Sequence, residues 1–201
     1  TMHHIISDKW SIEIFFKELA LLYNAYIEGK EIPIPPLPIQ YSDFALWQRK
    51  WLQQETQDNQ LLYWKEKLAG IPDVLELPLS KPRPKELTFQ GATYQTTISK
   101  EIKNQLNDIA QVNKASLFMV LLSAFQILLS RYSGKKDIVV GSPIAGRHQQ
   151  ETEELIGFFI NTLALRTTFA GSENFIQVLQ KVKEIVLESQ QHQDIYFDQL
   201  V

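Results

Sequence analysis

The chain has no cysteine among its 201 residues. That excludes disulfides, thiolate zinc sites and a cysteine nucleophile, and it suits a cytoplasmic protein. No sign of charge dominates either. A formal charge of −3, with no basic tract interleaved with aromatics, gives no electrostatic case for nucleic acid or an anionic membrane. The longest apolar stretch, LFMVLLSAFQILL from Leu117 to Leu129, is shorter than the about 20 residues that cross a bilayer. A helix apolar all round reads instead as the buried centre of a soluble fold. The first residues show no charged region followed by an apolar run, so no signal peptide is expected. Internal repeats and low-complexity segments are also lacking.

What is present favours a packed core. Hydrophobic residues make up 44% and aromatics 11%, and the length suits one ordinary domain or two small ones. A short strand is expected to end near Ile6. A helix then runs from about Ser11 to Glu28, with Asp8 or Ser11 as N-cap, Gly29 just past its end, and Ile12, Ile14, Phe15, Leu19, Leu22 and Tyr23 as its core-facing stripe. EIPIPPLPIQ, with four prolines in ten residues, is an extended connector. Helices are expected over 41–55 and 59–68. A proline-rich passage follows, with a lobe boundary near 72–88. GATYQTTIS (91–99) alternates as a strand would. Helices over 100–113 and 116–132, strands at DIVVGSPI (137–144) and FFINTLALRTTF (158–169), and a helix over 174–191 complete the reading. The last helix turns Phe175, Val178, Leu179, Val182, Ile185 and Val186 to one face. Strands alternating with helices give an α/β (α+β) two-layer fold.

Four stretches could carry chemistry. His3 and His4 are adjacent, and in an extended backbone adjacent side chains point to opposite faces, which disfavours joint ligation of a metal. A histidine in the segment between a strand end and a helix start can serve as a proton acceptor near neutral pH. One packed and one solvated histidine is the bland alternative. Asp8 is either a helix cap or a charge partner for the turn. In YSDFALWQRKW, Phe44, Trp47 and Trp51 fall on one helical face and read as packing. VVGSPIAGR ends a strand in a Gly-Ser-Pro turn that permits close backbone approach. In LIGFFINTLALR, a buried Asn161 must find hydrogen-bond partners, in a network or facing a cleft.

In this order the stretches resemble the condensation domain of non-ribosomal peptide synthetases. The family signature HHxxxDG is matched by His3, His4 and Asp8, with Lys9 in place of the glycine. YSDFALWQ (41–48), YWKEKLAG (63–70), LPLSKPRP, GSPIAGR (141–147), IGFFINTLALR (156–166) and HQDIYFDQL (192–200) resemble its further motifs. Tyr196 stands where the family often has proline. The resemblance implies chloramphenicol-acetyltransferase-like lobes with a tunnel between them. Residues 1–75 would end the N-terminal lobe and 76–201 would form most of the C-terminal lobe. It also implies that the chain is an internal piece of a domain about twice its length, with missing partner strands and an exposed core, inactive and aggregation-prone alone.

The implied activity is amide bond formation. The acceptor's amine attacks the thioester carbonyl of a donor, both substrates being held on the 4'-phosphopantetheine arms of upstream and downstream peptidyl-carrier domains, with an adenylation domain adjacent. The domain itself would bind no cofactor or metal. His4 would face the tunnel as base or positioner. His3 would be scaffold, Asp8 would support the loop through an arginine elsewhere, and Asn161 would line the site. Trp47 and Arg147 would be architectural. Lys9 would snorkel to solvent, narrow the tunnel or perturb His4. Rival readings are an epimerisation domain of the same synthetases, a decayed docking or scaffold domain, and a stand-alone acyltransferase using a soluble thioester.

Overall fold

Asp8 stops the chain before its first long helix. Its backbone is extended and its carboxylate accepts a 2.8 Å hydrogen bond from the Ser11 N–H, filling one of the donors that a helix start leaves open. Helix α1 then runs Lys9–Glu28 and ends at Gly29, whose φ of 63° is the left-handed conformation that glycine adopts freely. The computed structural model describes residues 2–52, 55–72, 74–79, 86, 88 and 90–200. Along these, α2 spans Tyr41–Trp51, α3 Glu55–Leu68, α4 Lys100–Val112 and α5 Leu117–Ser133. Strand β1 (Asp137–Ile144) and strand β2 (Asn161–Thr168) are hydrogen-bonded neighbours, and α6 covers Phe175–Gln191. The mixed helix-and-sheet class read from the sequence is the one found. The expected lobe boundary lies partly outside the described residues.

Two compact units divide the chain. The first comprises Thr1–Lys67, Gly141–Leu163 and His192–Val201, and the second Leu68–Val140 and Ala164–Gln191. In the first, Phe44, Leu155 and Phe159 form a buried cluster joined by Leu37 and Ile39 from the proline-rich connector. Trp64 is buried on α3 and its indole N–H donates to the His192 carbonyl at 2.7 Å. In the second, α5 packs against α4 and α6, and Val120, Ile138, Leu165, Leu179 and Val182 are buried. Gln126, fully buried on α5, donates to the Leu165 carbonyl at 2.9 Å and accepts from the Thr167 hydroxyl at 2.8 Å, tying the helix to β2.

Four expectations need correction. The strand ending near Ile6 is a 3-10 turn, His4–Ile6. Ile6 and Ser7 donate back to the His3 and His4 carbonyls, and the His3 ring accepts from the Ile5 N–H at 3.1 Å. Local bonds of this kind compete with extension. Residues 91–99 form no strand, and Tyr94 is 91% exposed; alternation favours a pleated surface but cannot supply the partner that a strand must pair with. Of the α1 stripe only Ile14 is buried, because no other described element covers that face. Helix α5 is buried on one face alone, with Phe118, Phe125 and Tyr132 exposed. The remaining helix ends lie within four residues of expectation.

Gln126→Leu should destabilise the second unit by about 1–3 kcal/mol, since it leaves the Leu165 carbonyl and the Thr167 hydroxyl buried without partners. Urea unfolding of the variant beside the native chain measures this.

Candidate active site

The 3-10 turn presents His4 at the surface with its Nδ1 2.8 Å from the Ser7 carbonyl oxygen. A carbonyl only accepts, so Nδ1 carries the proton and Nε2 is left as the basic nitrogen of the neutral ring. His4 lines a cavity of about 510 Å³ together with Met2, Ser7, Asp8, Lys9, Ile12 and Glu13. On its other side stands Phe158, ring centroids 5.4 Å apart and planes at 80°. His3 caps the same turn and is exposed.

Asp8 anchors the turn from below. Besides the Ser11 N–H, its carboxylate accepts from the Phe159 N–H at 3.1 Å and pairs with Arg147 at 3.4 Å. Both side chains are almost wholly buried, Arg147 at 1% exposure and Asp8 at 4%. The arginine that the resemblance assigned elsewhere is therefore Arg147. Its guanidinium also donates to Ser11 Oγ (2.8 Å), to the Leu155 carbonyl (2.8 Å) and to the Thr152 carbonyl, and it lies over the Phe159 ring at 3.9 Å. Ser11, fully buried, donates to the Gly157 carbonyl at 2.7 Å while accepting from the Gly157 N–H at 3.0 Å. One hydroxyl thus uses its single donor and both acceptor sites.

Two glycines make this convergence possible. Gly146 has φ of +65°, and a Cβ there would overlap the Phe159 carbonyl. A Cβ on Gly157 would overlap the Tyr41 ring. The GSPIAGR turn therefore places Arg147 against the 155–159 loop through backbone approach that only glycine allows.

Burial alone would push the Asp8 carboxyl up. The Ser11 N–H and hydroxyl, the Phe159 N–H and the Arg147 charge outweigh it and hold the group below the usual aspartate range. Burial draws the Arg147 guanidinium down, opposed by the Asp8 charge.

Of the residues singled out by sequence, the structure brings His4, Asp8 and Lys9 to one cavity and joins Arg147 to Asp8. Lys9 is the first residue of α1 and exposed. Asn161 holds the chain's last turn to the start of β2. It donates to the carbonyls of Gln193 (2.9 Å) and Ile195 (2.7 Å), and accepts from the Thr162 and Phe197 N–H groups. It is buried but not among the residues lining the His4 cavity. Trp47 stacks on Trp51 at 5.8 Å and lies 5.9 Å from Phe44. Sequence reasoning gave no site role to Ser11, Tyr41, Gly157 or Phe158. Their contacts run largely through backbone atoms, which leave little mark on residue type. Among the described residues, no group of three or more His, Asp or Glu could hold a metal ion.

A cavity histidine with a fixed tautomer, on a turn locked by a buried carboxylate–arginine pair, is a proton-handling site without a metal cluster among the described residues. The condensation-domain family model matches residues 1–201, and the chain belongs to that family. It is 50% identical over 200 residues to a linear gramicidin synthase of Brevibacillus parabrevis, covering all of this chain and 4% of the synthase. Among solved structures it resembles the X-domain in its complex with OxyB from teicoplanin biosynthesis (TM-score 0.89, 27% identity, 99% of this chain and 45% of that one). It also resembles a four-domain non-ribosomal peptide synthetase bound to AMP and glycine (TM-score 0.87, 27% identity, 100% and 15%). The chain thus spans only part of the relatives it matches. The fold is of the chloramphenicol-acetyltransferase type shared by condensation domains.

Asp8→Asn should cost about 3–5 kcal/mol, because it leaves Arg147 buried without its counter-charge. The depressed carboxyl also sets a sign. Its contribution is complete above the ordinary aspartate value of about 3.9 and is lost as pH falls through the lower folded value. Urea unfolding from pH 7 to pH 3 should therefore show a flatter acid limb in Asp8→Asn than in the native protein.

Proposed function

We propose that the chain is the histidine-bearing part of a domain that forms peptide bonds between two carrier-bound thioesters. Within a family of such domains, the observation that carries the reading is His4, with Nδ1 bonded to Ser7 and Nε2 free in the cavity. The acceptor's amine attacks the donor carbonyl, the new C–N bond forms, and the C–S bond breaks. The amine's proton passes by way of Nε2 and ends on the departing thiolate, so charge balances. General-base help of this kind is worth about 10²–10⁴ in rate. Thioesters are already activated, and orientation can supply about 7–11 kcal/mol, so His4 serves mainly to position the amine and partly to accept its proton. His3, Asp8, Arg147, Asn161 and Trp47 support the site and do not react.

The substrates would arrive on 4'-phosphopantetheine arms of upstream and downstream peptidyl-carrier domains, with an adenylation domain adjacent, in the cytoplasm. No single helix among the described residues is long and apolar enough to cross a membrane. Residues 1–75 would belong to the N-terminal lobe and 76–201 to the C-terminal lobe. Helix α1 exposes Phe15, Phe16, Leu19, Leu22 and Ile27, surface that supports inactivity and aggregation of the chain in isolation. A soluble monomer with a sharp cooperative melt would overturn that part.

In the parent synthetase, His4→Ala should lower amide formation by about 10² or more, read as loss of dipeptidyl product on the downstream carrier. Full activity would remove the histidine-centred mechanism. Lys9→Gly should leave the rate unchanged or raise it. A second reading, a docking domain without turnover, is favoured by Lys9 in the cavity and by the likeness to an X-domain solved in complex with OxyB. Absence of product from the native parent, loaded with both thioesters, would select it.

A further inference from the structure

The hydrogen bond from His4 Nδ1 to the Ser7 carbonyl fixes one atom of the imidazole and leaves the ring free to swing about that bond. A second contact is needed to set its plane, and the Phe158 ring, standing nearly perpendicular to it at 5.4 Å, is the aromatic partner that supplies one.

Phe158 is itself held with unusual redundancy. Three consecutive residues of its loop are tied to three different side chains. Gly157 is gripped at both N–H and C=O by Ser11, the Phe158 carbonyl accepts from the Tyr41 hydroxyl at 2.8 Å, and the Phe159 N–H donates to Asp8. Tyr41 also lies edge-on to Phe159 at 5.2 Å and fills the space beside Gly157. Partial burial pushes the Tyr41 hydroxyl above the usual tyrosine range, with a smaller push from Tyr196, so it remains a donor. Phe158 is only half-buried, and the buried cluster of this unit uses its neighbour Phe159. Core packing therefore does not account for the clamping of this residue.

We propose that Phe158 and Tyr41 are positioning residues for His4, Phe158 by setting the plane of the imidazole and Tyr41 by holding the Phe158 carbonyl. The inference rests on the reading of His4 as the group that meets the amine. It adds α2 to the catalytic apparatus: the first residue of YSDFALWQ acts two steps from the reacting atoms, through the loop that carries Phe158.

The test is single-turnover amide formation in the parent synthetase with both carriers loaded. Phe158→Ala should lower the rate at saturating acceptor about 10-fold or more, with half-saturation unchanged, because misplacement of a reacting group costs rate rather than binding. Phe158→Tyr keeps the ring and should restore the rate to within about 3-fold, whereas Phe158→Leu, of similar bulk without the ring, should not. Tyr41→Phe should lower the same rate about 3–10-fold through loss of one hydrogen bond. Thermal melts run alongside separate folding from positioning. If Phe158→Leu matches Phe158→Tyr, or if rates per folded molecule equal the native rate in all variants, the inference is overturned and Phe158 is packing alone. His4→Ala is the control: activity in that variant defeats the reading of His4 itself, and its loss with unaffected Phe158 variants defeats only the inference.

Discussion

The buried pair between Asp8 and Arg147 is the contact on which the first unit is organised. A carboxylate with 4% and a guanidinium with 1% of their surface exposed have both been taken out of water, and such burial is tolerated only when nearly every lone pair and proton finds a partner. Here the partners are mostly backbone groups of loops: Ser11 at the start of α1, Thr152 and Leu155 in the 150–155 turn, Phe159 ahead of β2. The charge pair draws together segments that have no regular structure of their own to join them. The turn bearing His4 is covalently attached to one end of that pair, so its position is set by buried electrostatics and not by the exposed turn itself.

Much of the fold was legible because its punctuation is chemical. Asp8 and Gly29 bound α1, Ser116 and Gly134 bound α5, and Gly-Ser-Pro closes β1 near Ile144. His3-His4 read as extended, yet the histidine ring and backbone donors three residues on curl the segment into a 3-10 turn, a local preference that hydrophobic patterning does not encode. Residues 91–99 have strand-like composition, but pairing is a property of two segments. The candidate site divides the same way. His4 and Asp8 were legible as chemistry, and Arg147 as a residue worth naming. Their union was not, since nothing in a sequence reports a contact across 139 positions.

Lys9 differs from its neighbours in being unengaged by this network. Asp8, the adjacent carboxylate, is fully committed to Ser11, Phe159 and Arg147, so it cannot serve as counter-ion to the lysine. A cation in the first turn also sits at the positive end of a 20-residue helix. The lysine is therefore held in the cavity by its backbone position and by no polar contact among the described residues, free to leave the histidine unobstructed or to meet what enters.

The sequence distance within the Asp8–Arg147 pair has a consequence in time. On a ribosome adding about 5–20 residues per second, Asp8 emerges on the order of ten seconds before Arg147. During that interval α1 has its cap but no lock, and Phe15, Phe16 and Leu19 face the surrounding water or whatever chaperone is near. Helix α1 is thus born early and finished late, and the arrival of one arginine ends its wait.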